Sequence, residues 1–177
     1  EEELNSRDFA KKLSQVGDLY VNEAFSCSHR AHASVSDITN NINSYAVQQL
    51  ISELDTINML TDGPKKPICC IIGGSKIYTK IGVLTNLIKR MDNIIIVGAM
   101  ANNFIKYNKY NIGKSIYEKN TENLIKNIIN QSKTYSCNLL IPTDVIVSKK
   151  YNAKGQLKNL KQIDDTDLIL DIGDKTV

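Results

Sequence analysis

ICCIIGGSKIYTKIGVL, residues 68–84, joins an apolar run to a glycine pair and two lysines. Ile68, Cys69, Cys70, Ile71 and Ile72 form the run, which is expected to be a strand buried on both faces of a parallel sheet. Gly73 and Gly74 let the backbone turn sharply and let a ligand approach the main chain. A helix over 76–90 is expected next, with free N–H groups and the positive end of its dipole available to an anion. Lys76 and Lys80 are four apart, so on that helix they share one face. Ile77, Ile81, Leu84, Ile88 and Met91 line the opposite face as a core stripe. Ligands of open α/β sheets bind at the carboxyl ends of the strands, where these lysines would stand. The pattern is neither G-x-x-x-x-G-K-[ST] nor G-x-G-x-x-G, and it equally fits a plain strand-to-helix turn with solvated lysines.

The rest of the composition narrows the class. The 177 residues suffice for a domain with a proper core, and 42% hydrophobic with 23% charged residues is ordinary for a globular chain. A net charge of +3 without a long basic run gives no case for nucleic acid or an anionic membrane as partner. No apolar run is long enough to span a bilayer, and EEELNSRDF does not read as a signal peptide. Four cysteines without a C-x-x-C suggest reduced thiols and a cytoplasmic location. Cys27, His29 and His32 lack the second ligand cluster that a zinc site requires, so no metal ligand is expected in this chain.

Around the central stretch the chain alternates. Ser6 is placed to cap a helix over 8–15, with Gly17 as its stop. A short strand over 19–21 leads into a polar loop, 22–34, that carries His29, Arg30 and His32. The Arg30 fork suits a phosphate or carboxylate, although an exposed loop with incidental charges reads the same way. After a connector over 35–43, Ser44 is expected to cap a helix reaching about Leu60, with Val47, Leu50, Ile51, Leu54 and Ile57 on its apolar face. Beyond residue 68, strands at 68–72, 94–97, 139–141 and 168–170 alternate with helices at 76–90, 100–107 and 121–133. Residues 145–147 continue extended, and 149–163 read as a basic loop. This order argues for right-handed crossovers on a parallel, Rossmann-like three-layer α/β sheet. The sheet looks incomplete, and the first 40 or so residues look like the end of a second, N-terminal α/β domain.

GDLYVNEAFSCSHRAHAS, PICCIIGGSKIYTKIGVL, IIIVGAMANNF, LLIPTDVIV and LILDIGDKT occur in the order seen in phosphoglycerate kinases, bacterial ones in particular. The resemblance covers nearly the whole chain. It implies that residues 1–43 close the phosphoglycerate-binding domain, that 44–62 form the interdomain helix, and that 63–177 begin the nucleotide-binding domain. The implied reaction is reversible transfer of the acyl phosphate of 1,3-bisphosphoglycerate to MgADP, giving 3-phosphoglycerate and MgATP in glycolysis. His29, Arg30 and His32 match part of the basic patch for the phosphoglycerate. Gly73, Gly74 and Ser75 match the turn along the nucleotide. Lys76 and Lys80 match the lysines on its phosphates, so that with Arg30 they carry the catalytic charge. Gly98 and Ala99 match the floor under the adenine, and Ile116 and Leu170 match apolar contacts to it.

Departures from the family pattern are local and global. Ala99 stands where glycine is usual and sets a methyl against the adenine. Glu23 replaces an aspartate, and Val47 replaces a glycine at the start of the interdomain helix. The chain is less than half the family's usual length. The resemblance therefore implies a central piece, inactive alone, of an enzyme that is a cytoplasmic monomer and whose Mg²⁺ ligand lies outside this chain. Three other readings stand beside it. A non-catalytic adenine-nucleotide module would bind without turnover. A Rossmann dehydrogenase would need the G-x-G-x-x-G fingerprint that is missing here. An unrelated interaction protein would leave both cationic sites unexplained.

Overall fold

A computed structural model describes every residue from Glu1 to Val177. The chain divides into two compact units, Glu1–Pro64 and Lys65–Val177.

In the first unit, helix α1 (Arg7–Leu13) begins at Ser6, whose hydroxyl accepts the Phe9 N–H at 3.4 Å. This is the expected cap. Strand β1 (Tyr20–Asn22) pairs in parallel with β2 (Ser44–Ala46), with Tyr20 opposite Ser44. Ser44 therefore opens a strand and does not cap a helix. Its hydroxyl donates to the Ile42 carbonyl at 2.9 Å, and residues 44–46 satisfy their main chain on β1. Helix α2 (Gln48–Thr61) starts only after the extended Val47. Leu50 is its buried residue, whereas Ile51, Leu54 and Ile57 of the expected apolar face are exposed. Ala10, Ala33, Ile38 and Leu50 are the buried apolar residues of this unit.

The second unit opens on β3 (Cys69–Gly73), which pairs in parallel with β4 (Asn93–Val97) from Cys69 opposite Asn93 to Gly73 opposite Val97. β4 pairs in parallel with β5 (Asn138–Leu140), so the order is β3-β4-β5. Helices α3 (Ile81–Ile88), α4 (Gly98–Tyr107) and α5 (Glu122–Thr134) follow the strands as the alternation predicts. Ile77, Leu84 and Ile88 are completely buried with Ile94, Ile96, Phe104 and Ile125 in one continuous core. Of the stripe expected from the sequence, Ile77, Leu84 and Ile88 lie in this core and Met91 packs against it, whereas Ile81 is only half-buried.

The structure corrects four expectations here. β3 is covered on one face only: Ile72 is buried, while Ile71 is 68% exposed. The segment 76–90 is not one helix. It begins with a 3-10 turn, Tyr78–Lys80, and becomes α-helical at Ile81. The last strand does not join the parallel sheet. β6 (Asp144–Ser148) pairs antiparallel with β7 (Gln156–Asn159) and with β8 (Leu168–Ile172), giving a separate sheet in the order β7-β6-β8. β7 falls inside the segment expected to be a basic loop. There Lys149 and Lys158 bind the buried Asp167 carboxylate at 2.8 and 2.7 Å, and both also reach Asp164. These basic charges are consumed inside the fold. Burial pushes the Asp167 carboxyl up, but hydrogen bonds from the two ammonium groups outweigh it and hold the group below the ordinary carboxylate range.

Candidate functional site

The glycine turn at the end of β3 is built by close packing. A Cβ at Gly73 would sit 3.0 Å from Val97 Cγ2 and 3.3 Å from the Val97 carbonyl oxygen. Gly74 has φ +141°, a region essentially reserved for glycine. Its carbonyl accepts the Met100 N–H at 2.7 Å, which ties the turn to the first residues of α4. Gly98 has φ +64°, and a Cβ there would lie 3.4 Å from the Gly74 nitrogen. Gly73, Gly74 and Gly98 are thus brought together at the carboxyl ends of two adjacent parallel strands. That is where an open α/β sheet receives a ligand.

The lysines sit differently from expectation. Lys80 closes the 3-10 turn, and its stem lies over Gly74: a Cβ on Gly74 would be 2.9 Å from Lys80 Cε and 3.9 Å from its Nζ. Lys76 is exposed in the segment before the turn, beside the exposed Ser75. Neither lysine makes an ion pair, in contrast with Lys149 and Lys158. The N–H groups that open the lysine turn are not free, as the helix argument had them. Glu118 accepts from the Ile77 N–H in a short bond and from the Tyr78 N–H at 3.2 Å. The Ser75 and Lys76 N–H groups donate to no acceptor in the protein. A phosphate at this turn would therefore meet free main-chain donors next to two unpaired ammonium groups.

Gly98, Ala99 and Leu170 line one cleft between α4 and β8, together with Asn102 and Pro142. The cleft is narrow, with room for about 30 Å³, close to one water molecule. The cleft is therefore too small to enclose a flat ring, and the exposed side chain of Leu170 borders it. Ile116 does not line the cleft. Its side chain is exposed, and its carbonyl accepts from the Asn102 side-chain amide at 2.9 Å. Asn103 does a matching job one residue on, accepting the Glu118 N–H at 2.9 Å. Sequence reasoning missed Asn102, Asn103 and Glu118 because each acts across the fold. A cavity of about 530 Å³ is lined by Lys106, Tyr117, Glu118 and Glu122 among others and holds none of the expected site residues.

In the first unit, His29 and Arg30 are exposed on the loop that follows the 3-10 turn Phe25–Cys27. Asn22 folds the start of this loop by accepting the Ala24 N–H at 2.9 Å. Arg30 has no carboxylate partner. His32 is half-buried with Nδ1 3.9 Å from a Glu2 carboxylate oxygen, and Glu2 also accepts from the Ser34 amide and hydroxyl. His32 is thus held by the fold, whereas Arg30 stands open to a ligand. No group of three or more His, Cys, Asp or Glu side chains is gathered to hold a metal, and no helix is long and apolar enough to cross a membrane.

A family profile described as phosphoglycerate kinase matches residues 1–177. A phosphoglycerate kinase of Wolbachia pipientis from Culex pipiens is 43% identical over 178 residues, covering 100% of this chain and 45% of that protein. One from Bartonella bacilliformis is 41% identical over 179 residues, again with 45% of its length matched. Among solved structures, the Coxiella burnetii phosphoglycerate kinase superposes with a TM-score of 0.80 at 32% identity, over 99% of this chain and 46% of that one. The Pyrococcus horikoshii enzyme, at 21% identity and a TM-score of 0.71, shares the fold. The chain spans about half the length of the relatives it matches. With the profile matching this chain from its first residue to its last and the glycine-lysine turn formed at the strand ends, this chain belongs to the phosphoglycerate kinase family.

Proposed function

We propose that this chain provides the nucleotide phosphate turn and part of the phosphoglycerate site of a phosphoglycerate kinase that acts as a cytoplasmic monomer. Residues 1–43 belong to the phosphoglycerate side, 44–62 to the interdomain helix and 63–177 to the nucleotide side. Gly73, Gly74 and Ser75 line the ADP phosphates. Lys76 and Lys80 neutralise them, Gly98, Ala99 and Leu170 support the adenine at the cleft mouth, and the exposed Ile116 side chain would touch it only from outside that cleft. Arg30, with His29 and His32, holds the phosphoglycerate. In the forward reaction a β-phosphate oxygen of ADP attacks the acyl phosphorus, the bond to the carboxyl oxygen breaks, and 3-phosphoglycerate leaves as its carboxylate. Positive charge at the equatorial oxygens is what such a transfer needs from a protein.

The observation that carries this reading is the unpaired Lys80 laid across Gly74 at the strand ends. Magnesium would arrive with the nucleotide. The lysine turn has no carboxylate cluster for it, since Glu118 is committed to two amides. Calorimetric titration of the chain with ADP tests the nucleotide half. Lys80→Met is expected to weaken binding by about tenfold or more, the value of a hydrogen bond to a charged group. Titration with 3-phosphoglycerate, alongside Arg30→Ala, tests the other half in the same way. A coupled turnover assay separates a kinase from a module that only binds. Equal ADP affinity in wild type and Lys80→Met would remove the proposal.

A further inference from the structure

We infer that Glu118 is the positioning residue of the lysine turn, acting on the phosphates only through the loop it holds. The inference rests on the nucleotide reading above. Glu118 lies 41 residues beyond Ile77, yet one of its carboxylate oxygens accepts both the Ile77 and the Tyr78 N–H. These are the first donors of the segment that carries Lys80. An exposed loop with two glycines has many conformations, and each free one dilutes the state in which Lys80 lies over Gly74. Two charge-assisted bonds to a fixed carboxylate remove that freedom.

The backbone that carries this carboxylate is itself fixed. The Glu118 N–H donates to Asn103 Oδ1 at 2.9 Å, and Asn103 is buried in α4, where its amide also donates to the Met100 carbonyl at 3.2 Å. Met100 is the residue whose N–H holds the Gly74 carbonyl. The neighbouring Asn102 holds the Ile116 carbonyl. Downstream, the Tyr78 hydroxyl donates to the Asn120 carbonyl at 2.8 Å. The segment 116–120 is thus bolted to α4 on one side and to the lysine turn on the other. One helix sets both the Gly98–Ala99 floor and, through Glu118, the position of Lys80. The carboxylate also fills the anion site at those two amides, which directs a phosphate to the free Ser75 and Lys76 N–H groups.

The test compares ADP with adenosine on the same 177-residue chain by calorimetry, because the difference isolates the phosphate contribution. Wild type is expected to prefer ADP, and Lys80→Met to lose most of that preference. Glu118→Ala is expected to weaken ADP by about tenfold while leaving adenosine unchanged, the scale of losing a bond to a charged group. Glu118→Gln keeps a carbonyl oxygen for both amides and is expected to stay within about threefold of wild type. General damage to the fold would weaken adenosine as well. If Glu118→Ala does not fold, Glu118→Asp replaces it, keeping the charge but withdrawing it by a methylene, with the same loss expected. An unchanged ADP-to-adenosine ratio in these variants, with Lys80→Met still defective, overturns the role of Glu118 and leaves the nucleotide reading standing. A glutamine variant as defective as alanine overturns it too. A wild-type chain that does not distinguish ADP from adenosine overturns both.

Discussion

Replacing Gly74 with alanine separates the backbone of the candidate site from its charge. The residue sits at φ +141°, where a side chain costs about 1–3 kcal/mol whatever the surroundings. The added Cβ would also meet Lys80 Cε at 2.9 Å and Cδ at 3.7 Å. That overlap is with a flexible stem, so it is relieved by moving the lysine and adds little to the stability cost. What it changes is where the ammonium points. Loss of one such charged contact is worth about 1.5–3 kcal/mol, or roughly 10- to 100-fold in affinity. Gly74→Ala is therefore expected to lower stability by about 1–3 kcal/mol in urea unfolding followed by far-UV circular dichroism, and to weaken ADP by at least about tenfold. Lys80→Met should weaken ADP without the stability loss. In the double variant the alanine should cost little further affinity, because both changes remove the same contact. Full additivity of the two affinity losses, or a Gly74→Ala chain with unchanged midpoint and unchanged ADP binding, would refute this account of the turn.

Other outcomes follow from the same geometry. Leu84→Ala removes a completely buried side chain from the core beneath the turn and is expected to cost about 2–5 kcal/mol in urea unfolding. Gly113→Ala places a Cβ 2.7 Å from the Asp164 carbonyl oxygen and closer still to that of Asp167, at φ +56°. Its cost should exceed the ~1–2 kcal/mol of left-handed backbone alone, and a smaller loss in the urea midpoint would contradict the packing there. Acid should destabilise the second unit through four aspartates, the first of them Asp92, which Lys66 and the Ile68 amide hold low. The Thr176 hydroxyl and the Lys175 amide hold Asp144 low, and Lys149, Thr166 and Lys158 hold Asp164 low. Asp167 is lowered by Lys149 and Lys158 against its burial. Groups depressed on folding contribute stability above their unfolded pKa of about 3.9 and lose it as pH falls through that value towards the folded one. The urea midpoint is expected to stay nearly level from about pH 7 to 5 and to drop below about pH 4, less steeply in Asp167→Asn. A midpoint unchanged at pH 3 would show that these carboxylates are not held as the structure places them.

Much of this was legible in residues that report locally. Ser6 announced its helix because an N-cap needs only a side chain and the next turn. The run Ile68–Ile72 and the stripe through Ile77, Leu84 and Ile88 gave the strand-turn-helix unit, because burial imposes those periods on the sequence. Gly73, Gly74 and Gly98 were legible as turn residues, although the reason each must be glycine lies in its neighbour across the sheet. What failed depended on distant partners. Ser44 reads as a helix cap until β1 is placed beside it. The apolar runs at Val145–Val147 and Leu168–Leu170 look the same in either strand direction, so nothing in them announced the antiparallel sheet. QLKN at 156–159 is a polar strand recognisable only by its pairing with β6. Glu118 sits among polar residues, and its capping of Ile77 and Tyr78 is a contact no local pattern encodes. The expected lysine face failed for the same reason: a 3-10 turn, pinned from outside, replaces the first turn of the helix.

The most direct test is a nitrogen-15 amide spectrum of the chain titrated with ADP. The account predicts shifts centred on Gly74, Ser75 and Lys76, with a second group at Gly98 and Ala99. Shifts confined to the large cavity around Lys106 and Tyr117, or none at ADP concentrations that saturate calorimetric binding, would contradict the assignment of the glycine-lysine turn to nucleotide phosphate.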